Sequence, residues 1–221
     1  MSIEFDLEQT DHLLTTTRAV RKRLDLDRPV PRDLIVDCIS VATQAPAGGN
    51  VQQWRWIIVD DPTLKLGLAE LYRKAYAPYI EMQREQVATT RRTDASAIMQ
   101  SSDHLAATLH QVPALVIPCM IGRPDNMKRQ GELAGWYGSI LPAVWSFMLA
   151  ARSRGLGTAW TTLHLNFERE AAELLGIPDN VSQVALTPVA YYTGDDFRPG
   201  KRLPAEKVTY TNGWKIGRAH V

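Results

Sequence analysis

The chain has 221 residues, a formal net charge of +1 and a hydrophobic fraction of 45%. These values fit one globular domain with a sizeable core, and the near-neutral charge argues against a dedicated nucleic-acid binder. Two isolated cysteines, Cys38 and Cys119, argue against a zinc site or a disulfide framework and predict a cytoplasmic protein. The N-terminus has no secretory signal pattern, and we expect no apolar run approaching the roughly 18 residues of a membrane span.

The first predicted element is a helix at 29–46, in which Leu34, Ile35, Cys38, Ile39 and Ala42 share one face. A strand follows at 53–60. Residues 62–110 are polar, show helical patches and have no strand signal. Within this stretch, about 70–110 is a candidate lid over a binding site.

The rest of the chain alternates strands and helices, which predicts one α+β domain over 1–221. In the long apolar helix, Pro142 predicts a kink or a late helix start. In the later capped helix, Asn166 is the predicted N-cap and Gly176 the predicted C-cap. The elements are a buried strand at 112–120, the apolar helix at 131–155, a short strand at 156–162, the capped helix at 166–178, a strand at 182–192 and a flexible tail at 215–221.

Several common catalytic motifs are absent from the sequence. There is no GxSxG elbow, no GxxxxGK[ST] loop, no GxGxxG after a strand and no HExxH. His104 and His110 would lie on different faces of a helix, so we predict no metal site. We interpret His164, beside a strand end, as an exposed or satisfied histidine rather than a catalyst.

Three separated segments each suit a flat, phosphorylated ligand. In the first, Arg18 and Arg21 project from the same side of a helix or turn, so their guanidinium groups could converge on a phosphate. A solvated basic face is the alternative.

The second segment is the loop APAGGNVQQW, in which Ala47, Gly48 and Gly49 let backbone amides approach a ligand. Asn50 and Gln52 offer amide groups to a heterocycle edge. A plain helix-to-strand connection is equally compatible with this loop.

The third segment combines Thr161 and Thr162, at the end of a strand, with Lys201 and Arg202 in a late loop. Alone, neither pair indicates a particular ligand.

In this order and spacing the segments resemble the FMN-dependent nitroreductase family, in particular nitroreductase-like proteins of actinobacteria with TTLHL after GLG. The family's Arg-Arg-Ser-x-Arg is matched by TRAVR, and its Pro-Ser-x-x-Asn-x-Gln-Pro-Trp by PAGGNVQQW. PVP, LAARSRGLG, LLGIP and KRLP follow the same order, over roughly residues 13–214. Thr17, Ala19 and Ala47 replace an arginine and two serines of the pattern, so some side-chain contacts to a cofactor would be lost.

The resemblance implies an α+β sandwich with a mostly antiparallel central sheet flanked by helices, in a domain-swapped homodimer. It implies FMN at the dimer interface, with the phosphate held by the arginines and the PAGG loop serving the flavin of the other subunit. Asn50 would address the ring edge, and Thr161, Thr162 and Leu163 would lie near flavin N5. The implied cofactor-binding residues are Thr17, Arg18, Ala19, Arg21, Pro46, Ala47, Gly48, Asn50, Thr161, Thr162, Leu163, Lys201 and Arg202, and the implied substrate residues are Gly49, Trp136 and Tyr137.

The resemblance also implies ping-pong hydride transfer from NADH or NADPH, through flavin N5, to a small electron-poor substrate such as a nitroaromatic or quinone. No side-chain acid, base or nucleophile is then required, so no catalytic residue is predicted. Lys22 and Arg23 would be solvated or paired with surface acids. Tyr72, Tyr76 and Tyr79 would either stack over the site or pack between helices.

Three alternatives stay open. One is a flavin-sequestering protein with little turnover. Another is reductive dehalogenation on the same fold, because the TT pair resembles that of the dehalogenating flavoprotein branch. The third is a regulator that binds nucleic acid through TRAVRKR.

Overall fold

The computed structural model describes residues 4–89 and 95–214. The chain forms two compact units, a main unit, Thr17–Asp195, and a terminal unit made of Met1–Thr16 with Asp196–Val221. The middle of the predicted lid, 90–94, and the predicted flexible tail, 215–221, lie outside the described residues.

A five-stranded antiparallel sheet organises the main unit. The strand order is β1-β2-β5-β3, and β4 pairs with β2 beside β5. β2 is buried along nearly its whole length, as its unbroken apolar run predicts. The strands are β1 (Trp54–Val59), β2 (Ala114–Ile121), β3 (Leu156–Thr158), β4 (Val181–Gln183) and β5 (Thr187–Tyr191).

In residues 4–89 and 95–214, seven α-helices accompany the sheet, and short 3-10 turns at Gly48–Asn50 and Leu163–Phe167 lie in the predicted site segments. α1 belongs to the terminal unit and the other six to the main unit. The helices are α1 (Leu7–Thr16), α2 (Arg32–Ala42), α3 (Pro62–Thr89), α4 (Ala95–Thr108), α5 (Gln130–Gly138), α6 (Leu141–Arg152) and α7 (Glu168–Leu175).

The core lies where α2 and α6 pack together against the sheet. Ile35 and Cys38 come from the predicted apolar face of α2, and Phe147 of α6 is completely buried. The rings of Phe147 and Trp56 of β1 are 5.5 Å apart at their centroids. The mixed helix and antiparallel sheet architecture predicted from the sequence is confirmed.

The single long helix expected at 131–155 is wrong. Two helices occupy this stretch, α5 and α6, and the chain breaks between them at Ser139 and Ile140. Pro142 lies at the start of α6, where its missing N–H costs no hydrogen bond, so the late helix start is the correct alternative.

The stretch Gln130–Arg152 also corrects the expectation that no apolar run reaches membrane-spanning length, because by length and composition it could cross one. Ala143, Val144 and Phe147 within it are fully buried in the main unit. Core packing therefore accounts for part of its apolar composition, since 44% of the span's apolar window is buried.

Two further local predictions are wrong. Asn166 is not the N-cap of α7, because it lies inside the preceding 3-10 turn and donates its side-chain amide to the carbonyl of Leu163 at 2.9 Å. The strand expected at 182–192 is divided into β4 and β5. Gly176 does end α7, in the left-handed conformation with φ of 65°.

Candidate functional site

The segment that carries Arg18 and Arg21 runs beside β3. The Val20 amide donates to the Thr158 carbonyl at 2.8 Å, and Ala19 pairs with Thr158 in a parallel bridge. Thr17 and Val20 are buried. The Arg18 side chain is exposed, and Arg21 is half-buried. Around Arg18 the segment is extended and paired with β3, which corrects the helix or turn expected there, and a turn begins only at Arg21, whose carbonyl accepts from the Leu24 amide at 3.2 Å.

Arg21 lies close enough to Tyr72 on α3 to affect its titration. Burial raises the pKa of Tyr72 to about 12, and the positive charge of Arg21 opposes that shift. Arg23 has a different role from the solvated or acid-paired one expected, because its Nε donates to the Thr193 carbonyl at 2.6 Å and its Nη2 to the Asp195 carbonyl. Lys22 donates to Gln100 at 3.4 Å.

The turn after β3 places the two predicted threonines in different environments. Thr161 is buried, and both its amide and its hydroxyl donate to the Leu186 carbonyl, at 3.1 and 2.7 Å. This corrects the expectation that Thr161 offers a donor to a ligand. Thr162 is exposed and Leu163 half-buried, so these two residues remain as candidates for contact with a ligand.

The loop between α2 and β1 has an unusual backbone. Gly49, Asn50 and Gln52 have positive φ angles of 57°, 53° and 53°. The side-chain amide of Gln52 donates to Asn50 Oδ1 at 3.1 Å, a hydrogen bond within the loop. Left-handed backbone at residues other than glycine is uncommon and is concentrated at functional sites. The loop therefore has a fixed shape rather than that of a plain connection.

Ser139, at the end of α5, connects this loop to α5 through hydrogen bonds. The Gly48 amide donates to Ser139 Oγ at 3.0 Å, and that hydroxyl donates to the Gly135 carbonyl at 2.7 Å. A Cβ on Gly48 would lie only 3.0 Å from Ser139 Oγ, so a glycine permits this close approach.

A cleft of about 360 Å³ lies between the loop and α5. Trp136 is buried in its wall, and its ring meets the Tyr137 ring edge-on at 4.8 Å. Among the lining residues Glu132 is charged, and bonds from Arg129 hold the pKa of Glu132 below its usual value. The lining residues are Ala47, Gly48, Val51, Gln52, Gln53, Met120, Met127, Gly131, Glu132, Gly135, Trp136 and Ser139.

The predicted site residues thus fall into three groups. The first group contains 17–21, which pair with β3, and the turn at 161–163, which follows β3 in the chain. The second group contains the loop at 46–50 with Trp136 and Tyr137, around the cleft. Lys201 and Arg202 are exposed residues of the terminal unit, and their convergence with Arg18 stays a prediction.

A buried polar cluster supports the turn at 161–163. His164 is completely buried beside Gln183, and among the described residues neither of its ring nitrogens has a hydrogen-bond partner of good geometry. Burial lowers the pKa of His164 to about 4, an effect that Gln183 opposes. Gln183 donates to the Glu168 carbonyl at 2.9 Å, and the Glu168 carboxylate accepts from Arg123 at 2.9 Å. His164 is therefore neutral at physiological pH.

The predicted lid consists of two helices on either side of 90–94. Tyr72 and Tyr76 of α3 are buried, and their rings stack at 6.2 Å. The Tyr76 hydroxyl donates to Asp103 of α4 at 2.7 Å, so these two tyrosines pack between helices. Tyr79 is exposed. Among the described residues there is no group of three or more histidine, cysteine or acidic side chains that could hold a metal ion.

A comparison with known proteins identifies the family. The Nitroreductase family model matches residues 14–191. The chain belongs to the nitroreductase family. Nitrobenzene nitroreductase of Ectopseudomonas oleovorans is 29% identical over 220 residues, covering 90% of this chain and 92% of that protein. The chain is thus an oxidoreductase of the nitroreductase type.

One further relative and two solved structures are also similar to this chain. Iodotyrosine deiodinase of Drosophila melanogaster is 28% identical over 163 residues, which cover 72% of this chain but only 54% of the relative. The fold matches an FMN-dependent nitroreductase of Mycobacterium smegmatis, solved with NADPH, with a TM-score of 0.68 and 18% identity over 94% of this chain and all of that one. An iodotyrosine deiodinase bound to FMN and 3-iodo-L-tyrosine gives a TM-score of 0.64 at 21% identity, over 91% of this chain and 97% of that one.

Proposed function

We propose that this nitroreductase-family protein is an FMN-dependent NAD(P)H oxidoreductase that acts on a small electron-poor substrate such as a nitroaromatic or quinone. The observation that carries the proposal is the hydrogen bond from Val20 to Thr158. It holds the segment of Arg18 and Arg21 beside the strand that leads to Thr162 and Leu163. Groups suited to a phosphate and groups suited to a ring system thus share one edge of the sheet.

The donor set fits FMN. Arg18 and Arg21 supply guanidinium groups, which bind phosphate through charge-assisted hydrogen bonds. The backbone at Thr17 and Ala19 accompanies them, and Lys201 and Arg202 of the terminal unit would add further positive charge. When bound, FMN would accept a hydride from NADH or NADPH and deliver reducing equivalents to the substrate.

The remaining contacts would come from backbone and short side chains. Thr162 and Leu163 would face the central part of the flavin ring, while Thr161 holds the turn through Leu186. Pro46, Ala47, Gly48 and Asn50 would approach the flavin with little side-chain bulk, and Asn50 would donate to or accept from the ring edge. The chain would contribute binding, orientation and exclusion of water rather than proton transfer.

We further propose a domain-swapped homodimer in which the loop at 46–50 serves the flavin of the other subunit. Large apolar side chains of the terminal unit support this, since Phe5, Leu7, Leu203 and Trp214 are 69 to 81% exposed. Large apolar side chains this exposed are more typical of an interface between subunits than of a surface that stays in water. The free, buried cysteines Cys38 and Cys119 fit a cytoplasmic location.

The cleft beside Trp136 is the proposed substrate side. Gly49, Trp136 and Tyr137 would contact the substrate, and the helices within 70–110 would cover it as a lid. Reductive dehalogenation is the second candidate function, because the iodotyrosine deiodinase relatives share this fold and Thr161 and Thr162 match the TT pattern. A flavin-sequestering role predicts FMN binding with little turnover.

The deciding experiment is to purify the protein, record its absorption spectrum and identify any flavin released on denaturation. The proposal expects a yellow protein that releases FMN and oxidises NADH or NADPH when a quinone or nitroaromatic is added. Colourless protein that takes up no added FMN would contradict the proposal. Retained FMN without turnover would favour sequestration, and iodide release from an iodophenol would favour dehalogenation.

The phosphate assignment has its own test. Arg18→Ala and Arg202→Ala should each weaken FMN retention by about 1–3 kcal/mol, the scale of a hydrogen bond to a charged group. Arg32→Ala is the matched control, because Arg32 is an exposed arginine that pairs with Asp60. FMN affinity that is unchanged in both test variants would reject the assignment, and a stable monomer that holds FMN would reject the shared site.

A further inference from the structure

We infer that Ser139 is a positioning residue that holds the loop Ala47–Gln52 in its binding conformation and couples it to the substrate side of the cleft. This inference rests on the proposed function, since it concerns how tightly the proposed FMN site is held. Ser139 belongs to neither the predicted cofactor residues nor the predicted substrate residues.

The first support is the hydrogen-bond chain through the hydroxyl. Ser139 Oγ accepts from the Gly48 amide at 3.0 Å and donates to the Gly135 carbonyl at 2.7 Å. The hydroxyl is thus used in both directions, and its orientation is fixed. Ser139 itself is only 8% exposed and ends α5, where its own amide donates to the Gly135 carbonyl.

The second support is the shape of the loop above it. Gly49, Asn50 and Gln52 hold left-handed backbone conformations, which the surrounding structure must stabilise. Within the loop, the Asn50 amide donates to the Ala47 carbonyl at 2.9 Å. The hydrogen bond from the Gly48 amide to Ser139 instead ties the loop to an element outside it, α5, and so fixes the position of the loop beside the cleft.

The third support is the place of Ser139 in α5. Trp136, which walls the cleft, and Tyr137 lie in the last turn before it, and the Ser139 amide also donates to the Trp136 carbonyl at 3.2 Å. A shift of Ser139 would therefore move both the loop and the aromatic wall. Since a small misplacement of binding groups is costly for a transfer reaction, Ser139 would affect the chemistry through the loop and the aromatic wall that it holds in place.

The test compares two serines that end neighbouring helices. Ser153 ends α6, and its hydroxyl donates to the Ala150 carbonyl at 2.9 Å, much as Ser139 donates to Gly135. Ser139 alone also accepts from the loop. Ser139→Ala should weaken FMN binding, measured by quenching of flavin fluorescence, by about fivefold to tenfold, the effect of one neutral hydrogen bond. Ser153→Ala should leave FMN binding unchanged while lowering the melting temperature to a similar extent.

Two further variants separate positioning from general stability. Ser139→Thr keeps the hydroxyl and should restore most of the FMN affinity. Gly48→Ala should also weaken FMN binding, because its Cβ would lie 3.0 Å from Ser139 Oγ. In the Ser139→Ala background that crowding is relieved, so the cost of Gly48→Ala should be smaller there. A non-additive result of this kind reports direct coupling between the two positions.

The outcomes are distinct from those of the proposed function. If the wild-type protein binds no FMN, the proposed function itself fails. If the wild-type protein binds FMN and Ser139→Ala binds it equally well, only the positioning role is overturned. Equal losses in Ser139→Ala and Ser153→Ala would also overturn it, since they would indicate a general effect on stability. Should Ser139→Ala not fold, Gly48→Ala tests the same contact, and unchanged FMN affinity there is the contrary result.

Discussion

The buried histidine His164 should make the main unit sensitive to acid. Burial lowers its pKa from an ordinary 6.5 to about 4 in the folded protein. In the unfolded chain the ring is solvated and titrates near its ordinary value. Between about pH 4 and pH 6.5 the unfolded state therefore binds a proton at this ring that the folded state does not bind. The stability contributed by the neutral ring is fully present above that pH and is lost as the pH falls towards 4.

The size of the effect follows from the shift. At about 1.4 kcal/mol per pKa unit, the full shift corresponds to roughly 3 kcal/mol, reached only below both pKa values. At about pH 5, where the unfolded ring is mostly protonated and the folded ring is mostly neutral, the loss is roughly 2 kcal/mol. A change of this size is a substantial part of the stability of a typical domain.

Urea denaturation at about pH 7 and pH 5 tests this prediction by comparing wild type with His164→Phe, which keeps a flat ring and removes the titration. The free energy of unfolding should fall less on acidification in the variant, by roughly 2 kcal/mol. His12→Gln, at an exposed histidine of the terminal unit, is the control for loss of a surface histidine. Equal pH dependence in wild type and His164→Phe would refute the argument.

Two other substitutions test how the site is supported. In Gly157→Ala the new Cβ would lie 3.0 to 3.2 Å from Val20 and Leu24. We therefore expect the free energy of unfolding, measured by urea denaturation, to fall by about 1–3 kcal/mol and FMN retention to weaken. If neither value changed, the close packing around Gly157 would be contradicted. Lys65→Met removes the ammonium group that donates to the Val112 carbonyl at 2.8 Å, and it should cost about 1–3 kcal/mol without changing FMN affinity; a neutral result would show that water replaces the bond.

Local sequence patterns predicted the elements whose causes are local. α2 was predicted because the spacing of Ile35, Cys38 and Ala42 places them on one face, and these residues are buried as expected. α1 was not predicted, because its only buried residue is Thr16 and it lacks an apolar face of its own. Pro142 indicated where α6 begins, but the sequence did not show that α5 is a separate helix, because the apolar pattern continues through the break at Ser139.

The candidate site was predictable only where its composition is unusual. Gly48 and Gly49 indicated a backbone site, and the structure shows that one permits the approach of Ser139 and the other adopts a positive φ. Ser139 itself gave no signal, because it meets Gly48 across 91 positions of the chain. The burial of His164 could not be predicted from its local sequence, because the fold brings Gln183 beside it from a later strand.

If FMN carries the redox chemistry as proposed, the chain influences hydride transfer through where it holds its backbone and its charges. In this chain the backbone of the proposed site is positioned largely by residues that would not touch the cofactor. Thr161 gives both of its donors to Leu186, and Thr158 accepts from Val20. The sheet thus determines where the exposed groups beside them can point. Substitutions at such supporting residues should change cofactor affinity and turnover together, whereas substitutions at exposed cleft residues should mainly change which substrate is accepted.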